Sequence, residues 1–231
     1  MTETAFAKSN TDLNNCLALM HTLMEYRPQG IYRRLHTIGA NYSMLHIDAL
    51  ALLYHFAKVC SGHVLEIGSY VGGATIAVAL GVQDSMNPKT IISIEQGGKL
   101  DHPTLASGNI LKDLRKNLAK HGVLQMVTLI GGRSVDPITV ARVQQAASPQ
   151  QIGLLIIDAA GAVRTDFACY EDRLTQGCLV VIDDYYAPGS LEKAAGIRAD
   201  VDSLVADGLL IPLGFYGYGT WFGRWDRSTR T

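Results

Sequence analysis

Five short apolar runs, each followed by a helical stretch, constrain this chain more than any other feature. They are "HVLEIG" (His63–Gly68), "TIISIE" (Thr90–Glu95), "MVTLIGG" (Met126–Gly132), "LLIIDA" (Leu154–Ala159) and "CLVVIDD" (Cys178–Asp184). Ala74–Gly81, Asn109–His121, Thr139–Ala147 and Asp166–Thr175 read as the intervening helices, and Asp200–Asp207 as another. Strands that are aliphatic throughout, without polar alternation, are covered on both faces. That is the pattern of a parallel sheet built from β–α–β crossovers. "GLLIPLGFYGYGTWFGRW" (Gly208–Trp225) has two apolar runs around a Gly/Tyr turn and predicts a hairpin. The expected class is therefore α/β, with a parallel sheet ending in an antiparallel edge.

The first sixty residues differ. Leu13, Cys16, Leu17, Met20, Leu23 and Met24 repeat at helical spacing within Thr11–Tyr26. Pro28 and Gly30 break that pattern. Ser43–Cys60 predicts a second helix with Ser43 as its cap. "IYRRLHTIGANY" (Ile31–Tyr42) reads as a short aromatic and basic connector. The chain thus divides into an N-terminal helical cover, residues 1–60, and an α/β domain, residues 61–231. At 231 residues it is long enough to bury a core without disulfides or a structural metal.

Composition narrows the partners. Hydrophobic residues make up 48% and charged residues 18%, a core-rich balance. The net charge is −1 and no basic run is present, so neither nucleic acid nor anionic lipid is expected. A small molecule is the expected partner. The four cysteines have neither CxxC nor zinc spacing and read as reduced thiols. The first fifteen residues carry Glu3, Lys8 and Asp12 rather than an apolar leader, and no run approaches membrane-span length. A cytoplasmic location is expected.

The chemistry concentrates at strand ends. "HVLEIGSYVGGATIAVAL" places Glu66 inside an apolar strand, where a carboxylate is costly unless it binds something. Gly68, Gly72 and Gly73 follow, letting the backbone turn tightly and approach a ligand. The next helix offers free N–H groups. The spacing is E-x-G-x-x-x-G rather than the dinucleotide GxGxxG. Glu95 closes the second strand, where an acid can accept hydrogen bonds from ribose hydroxyls. Asp158 and the pair Asp183–Asp184 close two more strands, so carboxylates gather on one rim of the sheet.

"VLEIGSYVGGAT", "ISIE", "LLIIDA" and "LVVIDDYY", in that order, together with "GTWFG" near the end, resemble the class I S-adenosylmethionine-dependent methyltransferases. Within that class the chain is most similar to the metal-dependent O-methyltransferases of the catechol, caffeoyl-CoA and macrocin types. The resemblance covers Ser43 to Gly223. It implies a doubly wound, Rossmann-like sheet of seven strands with the last antiparallel. It implies S-adenosylmethionine as co-substrate and Mg²⁺ as metal. Glu66, Gly68, Ser69, Tyr70 and Gly72 would hold the methionine end of the cofactor. Glu95 would take the ribose hydroxyls, with Gln96 beside it, and Ser134 in "GGRSVD" would lie by the adenine. Asp158 would face the methionine ammonium and join Asp183 and Asp184 as metal ligands. The implied activity is methyl transfer to a hydroxyl of a small metabolite, in a secondary-metabolic setting.

The family carries a lysine, histidine or aspartate two or three residues after the first metal aspartate. Here the stretch is Asp158-Ala159-Ala160-Gly161. Tyr185, Tyr186, His36 and His46 are alternative bases, although His36, His46 and His55 fit structural roles as well. Asp158, Asp184, Tyr185 and Tyr186 stand as the catalytic candidates. A metal-bound hydroxyl could also need no strong base, and two other readings remain open. S-Adenosylmethionine could cyclise to azetidine-2-carboxylate with release of methylthioadenosine, its sulfonium steadied by Tyr32, Tyr42, Tyr70, Tyr185 or Tyr186. Alternatively the protein binds the cofactor without catalysis. The segment Ile31–Met44 would line the substrate pocket or act as a lid, with Arg33 and Arg34 either solvated or facing a substrate carboxylate. The Leu/Met-rich N-terminal helices would otherwise form a homodimer contact.

Overall fold

Alternate residues of the central strands serve two separate cores. Val64, Ile91, Leu154, Ile156 and Val181 pack with helices on one face of the sheet. Leu65, Ile67, Ile92, Ile94, Leu155, Ile157, Val180 and Ile182 pack with helices on the other. A strand buried on both sides needs apolar residues at every position, which is why these runs lack polar alternation.

The computed structural model describes residues 3–149, 151–159, 162–187 and 191–227, the side chains of 3–12 and 191 excepted. Three helices lead: α1 (Glu3–Tyr26), α2 (Gly30–Tyr42) and α3 (Ile47–Val59). There follow β1 (His63–Ile67), α4 (Gly73–Gln83), β2 (Ile91–Glu95), α5 (Ile110–Lys120), β3 (Val127–Gly131), α6 (Pro137–Ala147) and β4 (Ile152–Ile157). The chain then forms α7 (Val163–Tyr170), β5 (Leu174–Ile182), α8 (Leu191–Ala206), β6 (Leu210–Tyr216) and β7 (Thr220–Trp225). Among the described residues the strands form one sheet in the order β3-β2-β1-β4-β5-β7-β6. The first five strands run parallel, and β7 is antiparallel to both β5 and β6. Helices α3, α4 and α5 cover one face; α6, α7 and α8 cover the other. This is the doubly wound sandwich with a reversed last strand that the resemblance implied.

Several local readings are corrected. Ile31–Tyr42 is not a connector but most of α2. Leu35 and Ile38 are buried while Arg33, Arg34 and His36 are exposed, so an amphipathic helix was present under a basic and aromatic surface. Ser43 does not cap α3. It ends α2, and its hydroxyl accepts from the Leu45 amide at 3.1 Å. His46 is the α3 cap, its Nδ1 accepting from the Asp48 amide at 3.2 Å. Helix α7 lies earlier than expected because Leu174 already belongs to β5 and pairs with Ile152. Helix α8 starts well before Asp200: Ala194, Ile197, Val201 and Leu204 form a buried stripe that the solvated Gly196 obscures. The expected helix over Thr11–Tyr26 extends back to Glu3.

The N-terminal helices reach the glycine turn directly. A Cβ at Gly73, the first residue of α4, would overlap the Tyr42 carbonyl and the Ser43 Cβ. The C-terminal end of α2 therefore sits against the start of α4, and only glycine admits that approach. Lys120 reinforces the contact from α5, donating to the Tyr42 hydroxyl at 2.7 Å. Among the described residues no helix is long and apolar enough to cross a membrane.

Candidate active site

Strand order reverses between β1 and β4, and register places acids there. Ile67 pairs with Ile157, and Ile157 with Ile182. Gly68, Asp158 and Asp183 each lie one residue beyond, so they leave the sheet at the same level. Backbone bonds hold them: Asp158 N–H donates to the Ile67 carbonyl at 2.8 Å, and Asp183 N–H to the Ile157 carbonyl at 3.0 Å. A Cβ at Gly68, whose φ is +87°, would overlap the Asp158 carbonyl. In open α/β sheets such a crevice beyond the carboxyl ends of the strands is where ligands bind.

Glu66 is buried at the end of β1. Its Oε2 accepts from the Thr75 hydroxyl at 2.6 Å, whereas its Oε1 is buried with no hydrogen-bond partner among the described residues. Burial pushes this carboxyl from 4.5 up to about 7; Thr75, Ser69 and Ser93 pull it back and Glu95 adds to the rise. Ser69 is buried, and its hydroxyl shares a hydrogen bond with that of Ser93. Tyr70 adopts φ +48°, and its hydroxyl donates to the Leu105 carbonyl. Gly72, at φ +99°, precedes α4 as a left-handed cap. Asn117 ties the same turn to α5 by donating to the Val71 carbonyl at 2.8 Å.

Glu95 lies beside this turn. Its Oε2 accepts from Tyr70 N–H and its Oε1 from Gly97 N–H, both at 2.8 Å. Each oxygen keeps a lone pair, so two further donors, spaced like vicinal hydroxyls, fit the group. Gln96 is exposed next to it. Ser134 lies farther along the rim, donating to the buried Asp166, while Tyr170 donates to the Ser134 carbonyl.

Asp158, Asp183 and Asp184 are half-buried, and one oxygen of each lies within 4.8 Å of the others. Burial holds Asp158 well above the usual carboxylate range, and repulsion from Asp183 and Asp184 adds to it against the pull of Lys193. Burial also raises Asp183, opposed by the Thr220 hydroxyl, which donates to its Oδ1 at 2.6 Å. Asp184 sits at φ +57° and accepts from the Lys193 ammonium. Among the described residues the donor set is three hard carboxylate oxygens with no thiolate or imidazole, which fits an oxygen-coordinated divalent cation such as Mg²⁺.

The tyrosines are placed differently. Tyr185 turns its hydroxyl to Asp202 at 2.9 Å, and Tyr186 is exposed, its amide donating to the Gly219 carbonyl at 3.2 Å. Arg198 lies over both rings, 5.5 and 5.4 Å from their centres. Of the alternative bases, His36 is exposed and His46 is the α3 cap. His55 bonds the Tyr26 hydroxyl at 3.2 Å. Sequence reasoning missed Lys193, Thr220, Thr75 and Arg198. Thr220 could have been found by laying the hairpin antiparallel against β5, where Trp221 pairs with Ile182. Lys193 carries no such signal, because its position depends on the path into α8.

The comparisons agree with this fold. A family model described as "Methyltransferase domain" matches residues 65–185. Several solved structures share the fold. One is a Staphylococcus aureus protein described as a candidate caffeoyl-CoA O-methyltransferase, at TM-score 0.64 and 15% identity, covering 90% of this chain and 99% of that one. Another is the O-methyltransferase TomG of Streptomyces achromogenes in complex with S-adenosylmethionine, at 0.59 and 17%, covering 79% and 81%. A third is a Bacillus cereus O-methyltransferase in complex with S-adenosylhomocysteine, at 0.59 and 13%, covering 93% and 91%. No curated protein sequence matches the chain. The fold is that of the class I S-adenosylmethionine-dependent O-methyltransferases. The chain belongs to the methyltransferase-domain family.

Glu66 gives a pH signature. Its carboxyl holds its proton more tightly folded than unfolded, so its contribution to stability is full below about pH 4.5 and is lost as pH rises to about 7. Glu66→Gln removes this loss. The variant should gain on wild type between pH 5 and pH 8, approaching about 3 kcal/mol, in urea unfolding followed at both pH values. A variant-minus-wild-type difference that is the same at both would contradict it.

Proposed function

We propose that the protein transfers the methyl group of S-adenosylmethionine to a hydroxyl of a small metabolite, with Mg²⁺ assistance. The observation that carries this reading is the convergence of Glu95, Asp158, Asp183 and Asp184 around the Gly68–Gly73 turn. Glu95 would take the ribose hydroxyls through its spare lone pairs. The unpartnered Glu66 Oε1 suits a donor-bearing methionine end, with the Gly68–Gly72 backbone beside it. Ser134 would meet the adenine, with Gln96 at the outer edge. Asp158, Asp183 and Asp184 would hold the metal. When bound, that ion would supply positive charge to stabilise the deprotonated acceptor oxygen.

This chain's own residues would do the rest. Register fixes Asp158 beside the glycine turn, so cofactor and acceptor would be held in line. Thr220 fixes the Asp183 carboxyl, and the Lys193 ammonium fixes the Asp184 carboxyl. Tyr185 and Tyr186, braced by Arg198, would wall the acceptor side. The α2–α3 segment, packed on the start of α4, would cover the cofactor. A cytoplasmic, secondary-metabolic setting fits a small-molecule acceptor, and the balanced charge favours neither nucleic acid nor membrane.

We also infer a homodimer through α1. Leu13, Leu17, Met20 and Met24 lie along one side of that helix and are each more than half exposed. Light scattering should give twice the 25.0 kDa chain mass; a single-chain mass at micromolar concentration would contradict it.

The activity test is direct. Purified protein with S-adenosylmethionine, Mg²⁺ and a panel of phenols, sugars and other hydroxyl compounds should form S-adenosylhomocysteine only when an acceptor is present. Methylthioadenosine released from S-adenosylmethionine alone would overturn methyl transfer in favour of cyclisation. Binding without turnover across the panel would point to a non-catalytic role.

A further inference from the structure

Lys193 is a buried-facing cation that neither the strand-end motifs nor the glycine turn accounts for. It stands in the first turns of α8, on a separate element from all three aspartates. Its side chain is one-third exposed, and its ammonium donates to Asp184 Oδ2. Asp158 and Asp183 attract the same ammonium. Around this point three carboxylates face one fixed positive charge, so the cluster retains a net charge of −2 when all are ionised. That residue of negative charge matches a divalent cation.

We propose that Lys193 is the built-in counter-ion of the aspartate triad, sharing Asp184 with the divalent metal and thereby holding metal affinity down. This rests on the metal-assisted reading of the triad. The physical basis is that a fixed ammonium and a divalent ion repel one another at close range, in surroundings less polar than water. The ammonium also engages a ligand oxygen that the metal needs. Removing the charge frees Asp184 Oδ2 and leaves the triad more negative. In return, Lys193 keeps the three carboxylates from repelling one another whenever the metal is not bound. It is thus a positioning residue: it acts on the acceptor only through Asp184.

Lys193 also connects metal affinity to the entry of α8. The same helix carries Arg198, which lies over Tyr185 and Tyr186, and Asp202, which accepts from the Tyr185 hydroxyl. Any shift of α8 would therefore move the triad's counter-ion and the aromatic wall together.

The test measures metal binding rather than turnover. Mn²⁺ is titrated into the full chain and its free signal followed by electron paramagnetic resonance, with Mg²⁺ as competitor. Lys193→Met should bind Mn²⁺ about tenfold tighter than wild type, about 1.4 kcal/mol. Lys193→Arg, which keeps the charge, should stay within about threefold of wild type. Lys193→Gln, polar and neutral, replaces the methionine variant if that one does not fold by circular dichroism. It too should bind about tenfold tighter. The neutral variant should also melt at a lower temperature than wild type without metal and recover on adding Mn²⁺. Equal or weaker Mn²⁺ binding in the neutral variant, with wild type still binding, would overturn the role of Lys193 and leave the metal reading standing. Failure of all variants and wild type to bind Mn²⁺ would overturn the metal reading and this inference with it.

Discussion

Ile67 pairs with Ile157 across the point where strand order reverses, and Ile157 pairs in turn with Ile182. The rest of the site depends on this register. It brings Gly68, Asp158 and Asp183 out of the sheet side by side. It also makes a side chain at position 68 untenable, because the Asp158 carbonyl fills that space. A slip of one residue would turn each strand's core residues to the opposite face. The two apolar layers on either side of the sheet therefore fix the level at which the aspartates emerge.

Acids gathered on one rim repel one another, and the fold meets that in several ways. Glu95 is satisfied by two backbone amides, one from the glycine turn and one from the segment after β2. Asp183 is fixed by Thr220 from the reversed strand. Asp184 is paired with Lys193 from α8. Glu66 is the exception: one of its oxygens is buried and unpartnered. A buried orphan acceptor of this kind is expensive in a structural role and reasonable in a binding one. The reversed strand β7 matters for the same reason, since Thr220 and the preceding Gly219 carbonyl both anchor the Asp183–Tyr186 segment.

Much of this was legible in the sequence, and the reasons are specific. The strands could be read because burial on both faces leaves continuous aliphatic runs, and each acid could be placed because it ends such a run. Helix α2 was hidden because Arg33, Arg34 and Gly39 masked the stripe through Leu35 and Ile38. The beginning of α8 was hidden by Gly196, and the α3 cap by a histidine doing what serine more often does. Thr75, Thr220, Arg198 and Lys193 reach the site from other elements, and only for Thr220 does a sequence pattern, the hairpin, point to the contact. Their contacts span 9, 37, 13 and 9 residues respectively, and only the folded path brings them together.

We propose that acids at successive strand ends converge on the glycine turn to bind an adenosyl sulfonium cofactor. Isothermal titration of S-adenosylhomocysteine into wild type and Glu95→Ala tests it most directly. One site per chain is expected in wild type, with at least about a tenfold loss of affinity, about 1.4 kcal/mol, in the variant. No heat of binding to wild type, or equal affinity in the two proteins, would contradict it.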